Sequence, residues 1–156
     1  MATDHPTTVA DHPTTVAEPP TTDISPQDAT HRDTYEAGLA IRKAVLGAEH
    51  VERSLANVSE FARPMQELVT EYCWGAVWSR PGLERRTRSL VNLAMLTALG
   101  RNHELGVHVK GALTNGVTTE EIQEVLLQTA IYVGVPAALE SFRVAEQVIG
   151  EVDGDA

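Results

Sequence analysis

Apolar positions along the chain group into segments with helical spacing, separated by glycine- and proline-bearing breaks. Tyr35, Leu39, Ile41, Val45 and Leu46 share one face, and Gly47 is placed to end that helix. A shorter amphipathic piece covers residues 49–56. Pro64 suits the first turn of the next helix, where its missing N–H would have been unpaired anyway. That helix carries Met65, Leu68, Val69 and Tyr72 and runs on through Trp74, Gly75 and Trp78. Ser79-Arg80-Pro81-Gly82 reads as a turn. Residues 84–99 are apolar nearly all round, which predicts a helix enclosed on every side by the fold or by neighbouring subunits. Gly100 turns the chain into a second helix, and the two form a hairpin. Thr118 and Glu121 have the spacing of a capping box, opening a helix that lasts to Tyr132. Gly134-Val135-Pro136 breaks it, and Pro136 opens a final helix to about Ile149. No stretch alternates as a strand does, so the expected fold is all-α: a compact helical bundle of about six to seven helices, starting near Asp33.

Residues 1–30 have a different character. The heptapeptide DHPTTVA occurs twice in tandem, at 4–10 and 11–17, and five of the eight prolines fall in this stretch. Such a segment has almost no large apolar side chain with which to build a core, so a disordered tail is expected. His5 and His12 recur with the repeat and lend at most weak metal affinity. The domain division is then a tail at 1–30, a globular domain at 31–150 and a short acidic tail at 151–156.

Charge and cysteine content narrow the function. Twelve basic residues stand against twenty-two acidic ones, a net charge of −10, which disfavours nucleic acid because phosphate contacts supply most of that affinity. The single cysteine, Cys73, excludes an internal disulfide or a CxxC redox pair, and is expected in the core beside Trp74. No apolar run has membrane-spanning length and no signal-peptide core is present, so a soluble, cytoplasmic protein without membrane partners is expected.

The candidate chemistry lies in the hairpin, residues 85–116. Glu104 and His108 stand at i and i+4 on one helix face, with Arg101 a turn earlier on nearly the same stripe. Five of the twelve basic residues fall at positions 80–101, and Arg80, Arg85, Arg88 and Arg101 together suggest an anion pocket. Trp74 and Trp78 are candidates for its wall, or for plain core packing. His103-Glu104 followed by His108 imitates a zinc-protease motif. Those histidines are at i and i+5, so on a helix they diverge by about 140° and cannot share one metal. No metal site is expected.

Several blocks carry a family resemblance. They are Arg42-Lys43-Ala44-Val45-Leu46-Gly47, Trp74-Gly75-x-x-Trp78-x-Arg80-Pro81-Gly82-Leu83, Thr87-Arg88-Ser89-Leu90 and Arg101-Asn102-x-Glu104-Leu105-x-x-His108. Asn115-Gly116-Val117-Thr118 and Gln128-x-Ala130-Ile131-Tyr132-x-Gly134-x-Pro136 follow in the same order. With these blocks the globular part resembles the 4-carboxymuconolactone decarboxylases of the alkyl-hydroperoxidase-D-like superfamily. The redox branch of that superfamily carries C-x-x-C-x-x-x-H with an upstream glutamate. Arg101, Glu104, His108 and Ser89 stand at those positions here, so the resemblance excludes thiol peroxidase chemistry.

The resemblance implies cofactor-free decarboxylation of 4-carboxymuconolactone to 3-oxoadipate enol-lactone and CO2, in the protocatechuate branch of the β-ketoadipate pathway. It also implies a homo-trimer or homo-hexamer and an alkyl-hydroperoxidase-D-like fold. The substrate would be its own electron sink, leaving the protein to bind a dianion, stabilise an oxyanion and return a proton to the α-carbon. His108 has an ordinary pKa suited to proton donation near neutrality, with Glu104 tuning it, and the two roles are interchangeable at this level. The alternative from another class is an oligomeric binding protein for small organic anions, or an enzyme for a related lactone.

Overall fold

The computed structural model describes residues 26–154, with side chains from residue 30 onward. The tandem repeat and its histidines lie outside the described residues. Within them the chain forms α1 (Pro26–Leu46), α2 (Ala48–Ala56), α3 (Arg63–Leu68), a π-helical segment (Val69–Trp78), α4 (Arg85–Ala98), α5 (Asn102–Thr114), α6 (Thr119–Tyr132) and α7 (Val135–Gly154). No strand occurs among the described residues, and the fold is the expected all-α bundle.

The breaks fall where the turn chemistry places them. Gly100 adopts φ 63° between α4 and α5, a left-handed conformation that favours glycine. Thr118 Oγ1 accepts from the Glu121 N–H while the Glu121 carboxylate accepts from the Thr118 N–H, so the capping box forms in full.

Two apolar clusters make the core, and α5 is shared between them. Leu93 of α4, Leu105, Val109 and Ala112 of α5, and Ile122 and Leu126 of α6 form the first, with Ala145 of α7. Ile41, Val45 and Leu46 of α1, Val51 of α2, and Trp74 and Trp78 form the second, against which Val107 of α5 packs. The helix carrying Glu104 and His108 therefore runs through the middle of the molecule.

Backbone contact, not only side-chain packing, joins α1 to the π segment. A Cβ on Gly38 would meet the Thr70 carbonyl oxygen at 2.1 Å, and one on Gly75 would meet the Thr34 carbonyl oxygen at 2.3 Å. Buried Arg42 locks the same seam, donating to Thr70 Oγ1 and Gln66 Oε1, both at 2.9 Å. This seam sets the position of Trp74, one turn beyond Thr70, against α5.

The structure differs from expectation at several elements. α1 begins at Pro26 where a start near Asp33 was expected, and α7 continues to Gly154 beyond the expected end near Ile149. The helix at 84–99 is not enclosed on every side within the chain: Ser89, Leu93 and Thr97 are buried, while Val91, Met95 and Leu99 are 45%, 49% and 67% exposed. Its flanking elements cover only one face. Cys73 is exposed, because the buried stripe of the π segment runs through Thr70, Trp74, Gly75 and Trp78 and leaves position 73 outside. Finally, the helix expected to run unbroken from Pro64 changes at Val69 to the wider π geometry, which is frequent at functional sites.

Candidate active site

His108, half-buried on α5, lies where α5 meets α4 and the π segment. Its imidazole lies nearly parallel to the Trp74 indole, 8° between planes and 6.2 Å between centroids; Trp78 follows at 6.4 Å and 29°. The two indoles are themselves 4.7 Å apart, and both are buried. Trp74 thus lines His108 and belongs to the core at once. Asn92 of α4 places its Nδ2 at 3.4 Å from His108 Nδ1.

Burial pushes the His108 pKa below its ordinary 6.5, and the charge of Glu104 opposes that shift with the smaller effect. That direction favours the neutral ring in the free protein. Glu104 is on the same helix face but exposed, and the two side chains make no hydrogen bond. Their relation is electrostatic.

The arginines separate into two kinds. Arg86 forms an ion pair with Glu121 and donates from Nε to the Gly116 carbonyl at 3.2 Å, which ties the start of α4 to the start of α6. Arg80, Arg85, Arg88 and Arg101 have no described carboxylate within ion-pair distance, although the chain is strongly acidic. Arg80, Arg85 and Arg101 are exposed. Arg88 is half-buried; it reaches from α4 to the 79–84 turn, donating to the Arg80 carbonyl at 3.1 Å, and its Nε is buried without a partner. Because Arg88 and Asn92 are i and i+4 on α4, this spare donor lies one turn from the His108 contact. Arg88 is the candidate cation tied closest to the histidine, whereas Arg101 caps the start of α5 at the hairpin turn.

Asn92 escaped the sequence reading, though a signal existed: it is a lone amide within the apolar run 90–96. Ser89, fully buried, accepts from Asn115 Nδ2 at 3.0 Å and adds a second side-chain bond across the α4–α5 seam. The clefts among the described residues lie elsewhere. One of about 320 Å³ between α6 and α7, one of about 360 Å³ between α4 and α6 and one of about 560 Å³ at Phe61, Met65 and Leu68 are lined without His108, Glu104 or the four arginines. Among the described residues no group of three or more His, Cys, Asp or Glu side chains could hold a metal ion.

The described residues form an all-helical fold in which a half-buried histidine lies beside two buried tryptophans, with arginines near by that form no ion pair with a described carboxylate. The profile of the carboxymuconolactone decarboxylase family matches residues 63–147, and the chain belongs to that family. It is 45% identical over 118 residues to the 4-carboxymuconolactone decarboxylase of Acinetobacter baylyi, covering 76% of this chain and 88% of that protein. It is equally 45% identical over 125 residues to nitrosuccinic acid decarboxylase npaB of Metarhizium robertsii, covering 80% of this chain and 87% of that one. A 4-carboxymuconolactone decarboxylase of Pseudomonas putida aligns over 44 residues at 39% identity, 28% of this chain and 92% of that sequence.

Proposed function

We propose that this chain is a carboxy-lyase that converts 4-carboxymuconolactone to 3-oxoadipate enol-lactone and CO2 without a cofactor, in the protocatechuate branch of the β-ketoadipate pathway. The observation that carries the reading is the cluster around His108: an imidazole packed beside two indoles, with arginine donors that no described carboxylate has claimed. Family membership and the names of two relatives support the same reaction class.

In this reading Arg88, helped by Arg80, Arg85 and Arg101, holds the two carboxylates of the lactone. Guanidinium forks do this with paired hydrogen bonds. The bond from the γ-carbon to the departing carboxylate breaks, and its electron pair moves through the ring C=C to the lactone carbonyl oxygen. CO2 leaves a dienolate. His108 and Glu104 divide the remaining work: one stabilises the oxyanion, and the other supplies or relays the proton that the α-carbon takes up. The indoles exclude water and strengthen each of these polar contacts. Assay of the purified protein with freshly generated lactone, following CO2 and enol-lactone, tests the proposal.

A second substrate is favoured by one observation: the nitrosuccinic acid decarboxylase is as similar to this chain as the lactone enzyme. Nitrosuccinate is also a dicarboxylate that carries its own electron sink, since a nitro group can take the electron pair that CO2 leaves behind. Parallel incubation with both acids separates the two readings.

The active form is proposed to be a homo-trimer or homo-hexamer in the cytoplasm. Supporting this are the uncovered apolar side chains of α4 and the α6–α7 corner, where Leu99, Ile131 and Tyr132 are 67%, 80% and 82% exposed. No described helix is long and apolar enough to cross a membrane. Light scattering that reports a monomer at micromolar concentration contradicts the assembly.

A further inference from the structure

We infer that Asn92 is a positioning residue that holds neutral His108 with its proton on Nε2, so that His108 acts as a hydrogen-bond donor to the oxyanion and another group supplies the proton. The tautomer is argued from the free protein; only its chemical consequence rests on the decarboxylase reading above.

The ring has little freedom. Trp74 and Trp78 pack on one side of it, the nearer ring 8° from parallel, and Asn92 Nδ2, 3.4 Å from Nδ1, is its hydrogen-bonding contact among the described residues. The groups facing it are few. The π segment presents two indoles, α4 presents the Asn92 amide with Arg88 one turn away, and α5 presents Glu104. Burial outweighs the Glu104 charge, so the uncharged imidazole is favoured near neutrality. A neutral imidazole has one N–H, and a donor at Nδ1 requires that nitrogen to be the acceptor. The proton therefore sits on Nε2.

A neutral Nε2–H cannot give its proton away without forming an imidazolate, but it can bond a developing oxyanion in a dry site. A neutral histidine acting as electrophile beside a carboxylate is a known arrangement for enolate chemistry. The C–C bond to CO2 breaks heterolytically and the pair passes to the carbonyl oxygen, held by Nε2–H. The pair returns toward the α-carbon, which takes a proton from the Glu104 carboxyl or from a water. Solvent restores that proton.

The test begins with nitrogen-15 NMR of the free full-length protein at a pH above the His108 titration. The expected spectrum has His108 protonated at Nε2 and bare at Nδ1; the opposite tautomer overturns the inference. Asn92→Asp should invert the tautomer, because a carboxylate accepts from Nδ1–H. It should lower kcat by about 10²-fold with little change in KM, the scale of a lost oxyanion donor. An unchanged tautomer in that variant also overturns the inference. In the unmodified enzyme kcat should hold level as pH rises through the NMR titration of His108. A kcat that falls in step with it identifies His108 as the acid and contradicts the assignment. Absence of any turnover with a correct tautomer would instead count against the substrate reading alone.

Discussion

The imidazole of His108 and the indole of Trp74 lie within 8° of parallel, 6.2 Å between centroids, so the histidine of α5 is lined by a side chain of the π segment more than thirty residues earlier in the chain. Trp74 also keeps water from the ring. Trp74→Phe preserves an apolar ring of smaller area, and the outcome is a more hydrated imidazole. The His108 pKa, read by NMR titration, should rise toward 6.5, and kcat should fall by about 10-fold as the ring loses its fixed orientation. An unmoved titration would mean that Trp74 is core packing only.

The lowered His108 pKa has a consequence for stability. Below pH 6.5 the unfolded chain protonates this histidine while the folded one resists, so protons favour unfolding. Its contribution is fully present above 6.5, declines as pH falls toward the folded-state value, and then levels off. His50 shifts the same way, chiefly through burial and then the charge of Arg53, and adds to the effect. Urea midpoints measured across the acid range should fall less steeply for His108→Gln than for the unmodified protein. Parallel slopes would contradict the burial argument.

Gly75→Ala should be among the most damaging single-methyl additions in the chain. Its Cβ would meet the Thr34 carbonyl oxygen at 2.3 Å, a backbone contact that no rotamer change relieves. A loss of about 3 kcal/mol or more follows from overpacking of this kind. Gly82→Ala is the control, since nothing lies within 4 Å of its Cβ. Denaturant titration of the two variants measures the contrast.

Much of this geometry was legible in the residues. Helical spacing, Gly47, Gly100, the Thr118 and Glu121 box and Pro136 place the element boundaries because each acts through local backbone chemistry. The i, i+4 relation of Glu104 and His108 follows from helix period alone. What was not legible depends on packing between distant segments. Periodicity does not reveal which face of α4 the single chain leaves open, so it could not divide Val91, Met95 and Leu99, exposed in the single chain, from the residues the fold itself buries. Cys73 adjoins a buried tryptophan in sequence but not in direction. Asn92 gained meaning only when α4 and α5 were placed side by side. Nor does composition distinguish Arg86, committed to Glu121, from Arg88 two residues later.

That last distinction is measurable. Arg88→Ala should raise KM for a dicarboxylate substrate by about 10-fold or more, with a smaller effect on kcat, if its fork grips a carboxylate equally in ground and transition states. Arg86→Ala should leave KM unchanged and cost at most about 1 kcal/mol of stability, since its ion pair with Glu121 is partly exposed. Reversal of the two phenotypes would move the anion site away from His108.

The most direct test of the account is release of CO2 from 4-carboxymuconolactone by the purified full-length chain in the presence of a chelator. The account requires stoichiometric CO2 and enol-lactone without added cofactor, and a rate reduced by about 10²-fold in His108→Ala. A folded protein that releases no CO2 from this lactone or from nitrosuccinate, or one whose His108→Ala variant turns over at the unmodified rate, would contradict it.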